Sequence, residues 1–176
     1  MSRPIPPLAA DDHILGTPSF SVTLVEYGDY QCPYCGEAYP VLKAVQRAME
    51  ADLRFVFRNF PLVEVHAHAL RAAQFAEAAA EAGLFWKAHD MLYENQDALG
   101  DRHLEAYADQ LGIDRAILAA AFEGRHDEKI QRDFRGGVRG GVNGTPSLFI
   151  NGQLYEGPPE PESLISVLRR AATTRA

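Results

Sequence analysis

The sequence predicts an α/β fold with a mixed central sheet and an inserted all-helical subdomain. Residues 18–61 carry two strand patterns around one helix, and residues 136–176 carry two short strands and a final helix. The intervening residues 62–135 are rich in alanine and show only helical patterns. A helix that connects two strands makes them parallel, whereas a tight hairpin makes its strands antiparallel, so this order predicts a sheet of both kinds.

The bulk composition fits one globular protein. The chain has 176 residues, is 47% hydrophobic and carries a formal net charge of −7, which argues against nucleic acids and anionic membranes as partners. No apolar run approaches the roughly 18 residues that a membrane span needs. The N-terminus has no apolar segment of the kind that a secretory signal contains. We therefore expect a cytoplasmic location, or a periplasmic one if an export signal has been removed.

The first strand follows a proline-rich arm, residues 1–17. Residues 19–27, with the sequence SFSVTLVEY, predict this strand because β-branched and aromatic side chains dominate them. Alternation along the strand places Glu26 on the same face as three apolar side chains, Phe20, Val22 and Leu24. Glu26 is therefore either a buried carboxyl group or one that is exposed at the end of the strand.

The first helix is predicted to begin at Cys32. Pro33 fits its first turn, where the missing N–H would have no partner within the helix, and Pro40 lies inside it and is expected to kink it. Residues 53–60, with the sequence LRFVFRNF, alternate as a second strand. These elements form a β-α-β unit.

The rest of the chain is predicted as a helical block followed by a hairpin. Asp114 is a candidate N-cap within the block, whose last helix is predicted over residues 126–134. The glycines in FRGGVRGGVNG are expected to end that helix and form a flexible approach to the loop that carries Pro146. Two RGG triplets are too few for RNA binding, which the net charge also opposes. The Asn151-Gly152 pair predicts a hairpin turn, and a last helix is predicted from about Pro161.

The only two cysteines of the chain, Cys32 and Cys35, are separated by two residues. Because Cys32 follows a strand and begins a helix, its sulfur would lie at a helix N-terminus, where unpaired N–H groups and the helix dipole favour a thiolate. The thiolate is the attacking species in thiol–disulfide exchange. We therefore predict that Cys32 is a nucleophile and that Cys35, one helical turn further on, resolves the mixed disulfide.

A metal site is the main alternative for the cysteine pair. A structural zinc ion needs four ligands, and the chain has no second cysteine pair. His66 and His68 would point to different faces of a helix and are poor joint ligands. Two simply buried cysteines would not explain the turn or Pro33. We expect no metal and no cofactor beyond the redox-active disulfide.

The chain resembles the DsbA-type thiol–disulfide oxidoreductases of the thioredoxin superfamily over roughly residues 15–172. The resemblance rests on a strand followed by CPYC at a helix start, on the helical block with FWKAHDMLYENQ, and on GVNGTPSLFINGQLYEG, which is similar to the family's cis-proline segment and final hairpin. It implies a thioredoxin-like fold. CPYC is also typical of glutaredoxins, and the helical insertion favours the DsbA-like group.

The resemblance also implies roles for residues outside the cysteine pair. It implies a cis peptide bond between Thr145 and Pro146 that faces the cysteines, with the Thr145 backbone pairing with an extended substrate peptide. It further implies that Glu26 is a buried acid beneath the cysteines, which takes up and returns a proton during exchange. The residues expected to bind substrate are Pro33, Tyr34, Thr145 and Pro146.

The sequence thus predicts a thiol–disulfide oxidoreductase that acts on protein or small-molecule thiols and disulfides and is recycled by an unidentified redox partner. Oxidation, reduction and disulfide isomerisation all stay open. Tyr34 cannot carry the positive charge that the most oxidising relatives place at its position, so we predict a weaker oxidant. Two alternatives are a glutaredoxin-like, glutathione-dependent reductase and a non-enzymatic binding or chaperone module whose CxxC motif is idle or binds metal.

Overall fold

The computed structural model describes residues 5–17 and 19–173. Within them, five strands and seven helices follow one another along the chain. They are β1 (His13–Gly16), β2 (Val22–Gly28), α1 (Pro33–Ala48), β3 (Leu53–Asn59), α2 (Ala69–Glu81), α3 (Phe85–Glu94), α4 (Asp101–Leu111), α5 (Arg115–Phe122), α6 (Asp127–Gly140), β4 (Ser147–Ile150), β5 (Gln153–Leu154) and α7 (Pro161–Thr173).

The five strands form one mixed sheet in the order β1-β3-β2-β4-β5. Strands β2 and β3 are parallel, as their crossover through α1 requires, and every other pair is antiparallel. In this register, Glu26 on the central strand β2 lies between Phe57 and Leu148. The predicted mixed sheet is confirmed.

The edge strand β1 lies within the segment that the sequence assigned to an arm. Its four residues pair antiparallel with β3. Arg58 on β3 holds the preceding segment: its guanidinium forms a buried ion pair with Asp12 at 2.8 Å and donates to the carbonyl oxygens of Pro6 and Pro7 at 3.0 Å. A strand this short has no clear pattern of its own, and it is fixed by its pairing with the distant strand β3 and by the contacts of Arg58 to the segment before it.

The sheet is covered by helices on both faces. Helices α1, α3 and α7 pack against the face that carries Leu24, where they form the larger apolar core. Helix α6 and the N-terminal segment cover the opposite face, around Tyr27 and Phe149. None of the helices in the described ranges is long and apolar enough to cross a membrane. The cysteine pair follows the C-terminal end of the central strand β2, in a sheet that helices cover on both faces.

Helix α6 differs from its prediction. It continues past residue 134 to Gly140 and ends where Gly141 adopts a left-handed conformation. Gly136 and Gly137 are buried inside it, and a Cβ atom on Gly137 would come within 2.9 Å of the rings of Phe60 and Tyr27. The prediction that the glycines of this stretch end the helix is confirmed at Gly140 and Gly141. It was wrong for Gly136 and Gly137, which lie within the helix, where Gly137 allows a close approach to two aromatic rings.

Three other local predictions are confirmed. The Asp114 side chain caps α5 by accepting a hydrogen bond from the N–H of Ala116 at 2.6 Å. Asn151 and Gly152 both adopt positive φ angles, 48° and 86°, as a two-residue hairpin turn requires. The last helix begins at Pro161, as predicted.

Candidate active site

The nucleophile predicted from the sequence caps the first helix. Cys32 has extended backbone angles (φ −69°, ψ 122°), Pro33 follows as the first helical residue, and the N–H of Cys32 donates to the carbonyl oxygen of Asp29 at 3.1 Å. Both cysteines are free thiols and both are buried, with 3% of Cys32 and none of Cys35 exposed. Tyr34, between them, is 69% exposed. The helix start therefore presents Tyr34 outward and keeps Cys35 inside.

The segment before β4 lies against Cys32. The peptide bond between Thr145 and Pro146 is cis, and the Cys32 thiol donates a hydrogen bond to the Thr145 carbonyl oxygen at 3.4 Å. The Thr145 hydroxyl oxygen is buried and accepts or donates no hydrogen bond within the described part of the chain. The fold thus joins the two halves of the predicted site.

The two thiols have very different acidities. A hydrogen bond from the Cys35 side chain lowers the pKa of Cys32 to about 5, although burial opposes the effect. The pKa is lowered further by the Thr145 side chain, whose hydroxyl can donate to the thiolate, and by hydrogen bonds from the N–H groups of Cys35 and Tyr34. Burial raises the pKa of Cys35 far above its ordinary value, and its bond to Cys32 and the charge of Glu26 raise it further. Cys32 is therefore the thiol that ionises at neutral pH.

Glu26 is the buried carboxyl group of the site. It is 1% exposed, and burial raises its pKa to about 8. One of its oxygen atoms makes no hydrogen bond within the described ranges, and the same is true of the nearby Tyr93 hydroxyl. Unpaired buried polar atoms are costly and tend to mark functional positions. Of the two positions left open by the sequence, the structure places Glu26 in the buried one.

Asp29, which the sequence analysis did not single out, holds the loop before Cys32. Its buried carboxylate accepts hydrogen bonds from the N–H groups of Gln31 at 2.8 Å and Leu62 at 2.9 Å, and from the ring of His66 at 2.7 Å. His66 therefore orients a loop. No cluster of three or more histidine, cysteine or acidic side chains suited to a metal ion occurs among the residues that the structure describes.

Gln96 is a second residue that was missed. It follows α3 in the helical insertion, and its side-chain amide donates to the carbonyl oxygens of Tyr30 and Cys32, both at 2.9 Å. A single acidic or amide residue that is remote in sequence from the cysteines carries no motif. Only the packing of the insertion against the sheet brings it to the site.

An apolar groove begins at Pro146 and continues away from the cysteines. It has a volume of about 260 Å³ and runs between α1, the β4–β5 hairpin and α7. Its lining includes Ala38, Leu42, Leu148, Tyr155 and Leu164. Pro146 belongs both to the cis peptide bond and to the lining of the groove, so the groove begins next to the residues that contact Cys32.

Comparison with known proteins identifies similar chains. A family model described as Thioredoxin matches residues 9–170. A thioredoxin-like oxidoreductase from Silicibacter pomeroyi is 27% identical, with 94% of each chain covered and a TM-score of 0.83. BdbD from Bacillus subtilis is 18% identical, with 98% of each chain covered and a TM-score of 0.83. Wolbachia pipientis α-DsbA1 is 18% identical, with 96% of this chain and 94% of that chain covered and a TM-score of 0.81.

Curated relatives are longer proteins. A chain named Na⁺/H⁺ antiporter NhaA 3 from Salinispora tropica is 39% identical over 164 residues, which cover 91% of this chain and 24% of that protein. A chain named Na⁺/H⁺ antiporter NhaA 1 from Mycolicibacterium gilvum is 35% identical over 171 residues, which cover 94% and 27%. The chain therefore spans about a quarter of the length of these relatives.

Proposed function

The chain belongs to the thioredoxin family, whose model matches residues 9–170, and from this membership we propose that it is a thiol–disulfide oxidoreductase acting on protein thiols and disulfides. The likeness to solved DsbA structures confirms the predicted thioredoxin-like fold with a helical insertion. The observation that carries the proposal is the position of Cys32, which caps α1 and hydrogen-bonds to Thr145 beside the cis bond, with Cys35 buried behind it.

The exchange proceeds in two steps. The Cys32 thiolate attacks one sulfur of a substrate disulfide, forms a mixed disulfide and releases the other substrate sulfur as a thiolate, which takes up a proton. Cys35 then loses its proton, and its thiolate attacks the sulfur of Cys32 and releases the second substrate thiol. The substrate gains two electrons and the protein keeps the Cys32–Cys35 disulfide. The reverse sequence oxidises a substrate dithiol.

Glu26 is proposed to exchange the proton of Cys35. A thiol with a strongly raised pKa does not ionise at neutral pH unless a base takes its proton as it attacks. Glu26 has a pKa of about 8, close to neutrality, so its carboxylate can accept that proton and its protonated form can return it. The charge of Glu26 is also among the causes that raise the pKa of Cys35, which indicates that the two groups interact.

An extended protein segment is the proposed substrate. Thr145 offers its backbone to a chain that adds as a strand, and Pro33 and Tyr34 are exposed beside the nucleophile. Pro146 forms the wall from which the apolar groove continues. When Cys32 is ionised, its hydrogen bond to the Thr145 carbonyl oxygen is lost, and that oxygen becomes available to a substrate N–H.

Reduction of insulin by dithiothreitol and oxidation of a reduced, unfolded protein test the proposal. We expect the wild type to accelerate both, Cys32→Ser to abolish both, and Cys35→Ser to accumulate a mixed disulfide with the substrate. Glu37→Gln, a change at an exposed position on α1, is the matched control. Full activity of Cys32→Ser, or bound metal with no exchange activity, would refute the proposal. Full activity of Cys35→Ser on glutathione mixed disulfides would instead favour the glutaredoxin-like alternative.

The same assays address the direction of the exchange reaction and the identity of the recycling partner. Faster oxidation than reduction at a fixed glutathione ratio identifies an oxidant, and the refolding of a scrambled protein identifies an isomerase. The mixed disulfide that Cys35→Ser traps in cell extract identifies the recycling partner by mass. The expected cytoplasmic location stays a prediction.

A further inference from the structure

Gln96 links the helical insertion to the backbone of the active-site turn. It lies two residues beyond the end of α3. Its two amide hydrogens are used on two different carbonyl groups, that of Tyr30 and that of Cys32. Its amide oxygen packs against Gly36, where a Cβ atom would overlap it. The Gln96 side chain thus fits between the insertion and the first turn of α1. The absence of a side chain at Gly36 leaves the space that it occupies.

The two carbonyl groups determine how Cys32 is presented. One precedes Gln31, and the other joins Cys32 to Pro33. The proline restricts Cys32 to extended conformations but leaves a broad range of angles. Two hydrogen bonds from one rigid amide narrow that range, because the peptide planes on both sides of the turn must point toward the same nitrogen.

Helix α3, which precedes Gln96, is itself attached to α1. The Tyr39 hydroxyl on α1 donates to Asp90 on α3 at 3.0 Å, and Lys43 forms an ion pair with the same carboxylate at 3.1 Å. The opposite side of the turn is held by the segment before α2, where the N–H of His68 donates to the side chain of Gln31 at 2.6 Å. Two separate parts of the insertion, the segment before α2 and the segment just after α3, therefore hold the turn that carries the nucleophile.

We propose that Gln96 is a positioning residue, whose amide holds the carbonyl groups of Tyr30 and Cys32 so that the sulfur of Cys32 faces the N–H groups at the start of α1. The proposal rests on the proposed role of Cys32 as nucleophile. The N–H groups of Tyr34 and Cys35 contribute to the acidity of Cys32 through hydrogen bonds, which depend on direction. Without Gln96, the turn keeps only its contacts through Asp29 and Gln31, so the hydrogen bonds to the Cys32 sulfur are expected to lengthen.

Replacement of the amide by an apolar chain of similar length tests this role. In Gln96→Met we expect the ionisation midpoint of Cys32, followed by thiolate absorbance in the reduced protein, to rise by about one pH unit, which is a tenfold loss in acidity. The alkylation rate of Cys32 at pH 6 should fall accordingly. Gln96→Asn keeps the donors on a shorter chain and is expected to lie between Gln96→Met and the wild type.

The matched control is Asn95→Ala. The Asn95 amide donates only to the Met91 carbonyl oxygen of its own helix among the bonds seen, so its loss should leave the midpoint unchanged. A merely structural role of Gln96 would lower the thermal midpoint without moving the titration. A folded Gln96→Met protein with the wild-type midpoint, or an equal shift in Asn95→Ala, would overturn the proposal. The titration needs no substrate, so a wild type that titrates normally but fails the insulin assay refutes the proposed function alone.

Discussion

The Cys32 thiol donates a hydrogen bond to the backbone carbonyl oxygen of Thr145 at 3.4 Å, although 113 positions separate the two residues. The same threonine has a buried hydroxyl group without a hydrogen-bond partner in the described part of the chain, and its side chain is among the groups that lower the pKa of Cys32. The Thr145 carbonyl oxygen accepts a hydrogen bond from the protonated Cys32 thiol, and the Thr145 hydroxyl can donate one to the thiolate. Thr145 can therefore serve as a hydrogen-bond partner for both ionisation states of Cys32.

Thr145→Val is expected to make Cys32 less acidic. The substitution keeps the shape of the side chain and removes the donor, so the thiolate loses a hydrogen bond worth about 1 kcal/mol. The Cys32 pKa should rise from its value of about 5, and the reduction potential should become more negative by about 20 mV because the reduced form is less stabilised. Thiolate absorbance and glutathione redox titration measure the two shifts.

Thr145→Ser is the control for this change because it keeps the hydroxyl and removes the methyl group. It should retain the wild-type pKa of Cys32. If the serine and valine variants shift the pKa equally, packing of the methyl group and not the hydroxyl is responsible.

Glu26→Gln is expected to remove a pH dependence of stability. The folded-state pKa of Glu26 is about 8, above its ordinary value of 4.5. A raised carboxyl pKa means that its contribution to stability is complete below pH 4.5 and is lost as pH rises through 8. The free energy of unfolding of the wild type should therefore fall relative to Glu26→Gln over this range, by on the order of 4 kcal/mol. Urea unfolding at pH 5 and pH 9 measures the difference.

The difference between the two proteins isolates Glu26, since the cysteines contribute equally to both. Glu37→Gln, an exposed change on α1, should show the wild-type pH profile. Parallel profiles for the wild type and Glu26→Gln would contradict a buried, hard-to-ionise Glu26. If they differ as expected, the rate at which Cys35 resolves a mixed disulfide should also fall in Glu26→Gln.

The sequence predicted those parts of the site that follow from local chemistry. A proline after a cysteine at the end of a strand identified the helix start, and a carboxyl on an apolar strand face allowed a buried Glu26. The Asn151-Gly152 turn required positive φ angles that few other pairs adopt. Each of these signals depends on neighbouring residues, which the sequence shows directly.

The parts that could not be predicted depend on tertiary contacts. Asp29 and Gln96 act on the loop through partners about 33 and 64 positions away, and the segment before β1 is held by Arg58. The predicted extent of α6 was wrong because it, too, depends on tertiary contacts. Glycine weakens a helix by about 1 kcal/mol relative to alanine, which favoured an end at residue 134. In the fold, the contact with Phe60 and Tyr27 overrides that preference.

Gly137→Ala is expected to destabilise the protein. Helix propensity alone would stabilise α6 by about 1 kcal/mol. The new Cβ would lie 2.8–2.9 Å from carbon atoms of Phe60 and Tyr27, two buried rings that pack at right angles to each other and have little room to move. Overpacking of this kind costs about 1–3 kcal/mol and should exceed the gain.

Urea unfolding at a single pH measures this effect. Val138→Ala, at the next and largely exposed position of α6, is the matched control and should change the free energy of unfolding by about 0.5 kcal/mol or less. A Gly137→Ala protein that is more stable than the wild type would show that the helix can shift away from the rings.

Tyr34 is expected to keep this protein a weaker oxidant than the strongest members of its superfamily. The hydrogen bonds that lower the pKa of Cys32 come from thiol, hydroxyl and backbone groups, and no cation is among their sources. We predict a reduction potential on the order of −200 mV, nearer to glutaredoxins than to the roughly −120 mV of the strongest oxidant. A protonated histidine at position 34 would add a positive charge beside the thiolate, so Tyr34→His should raise the potential by about 20–30 mV, more at pH 6 than at pH 8. Tyr34→Phe should leave it unchanged, and a wild-type value near −120 mV would contradict this account of how the potential is set.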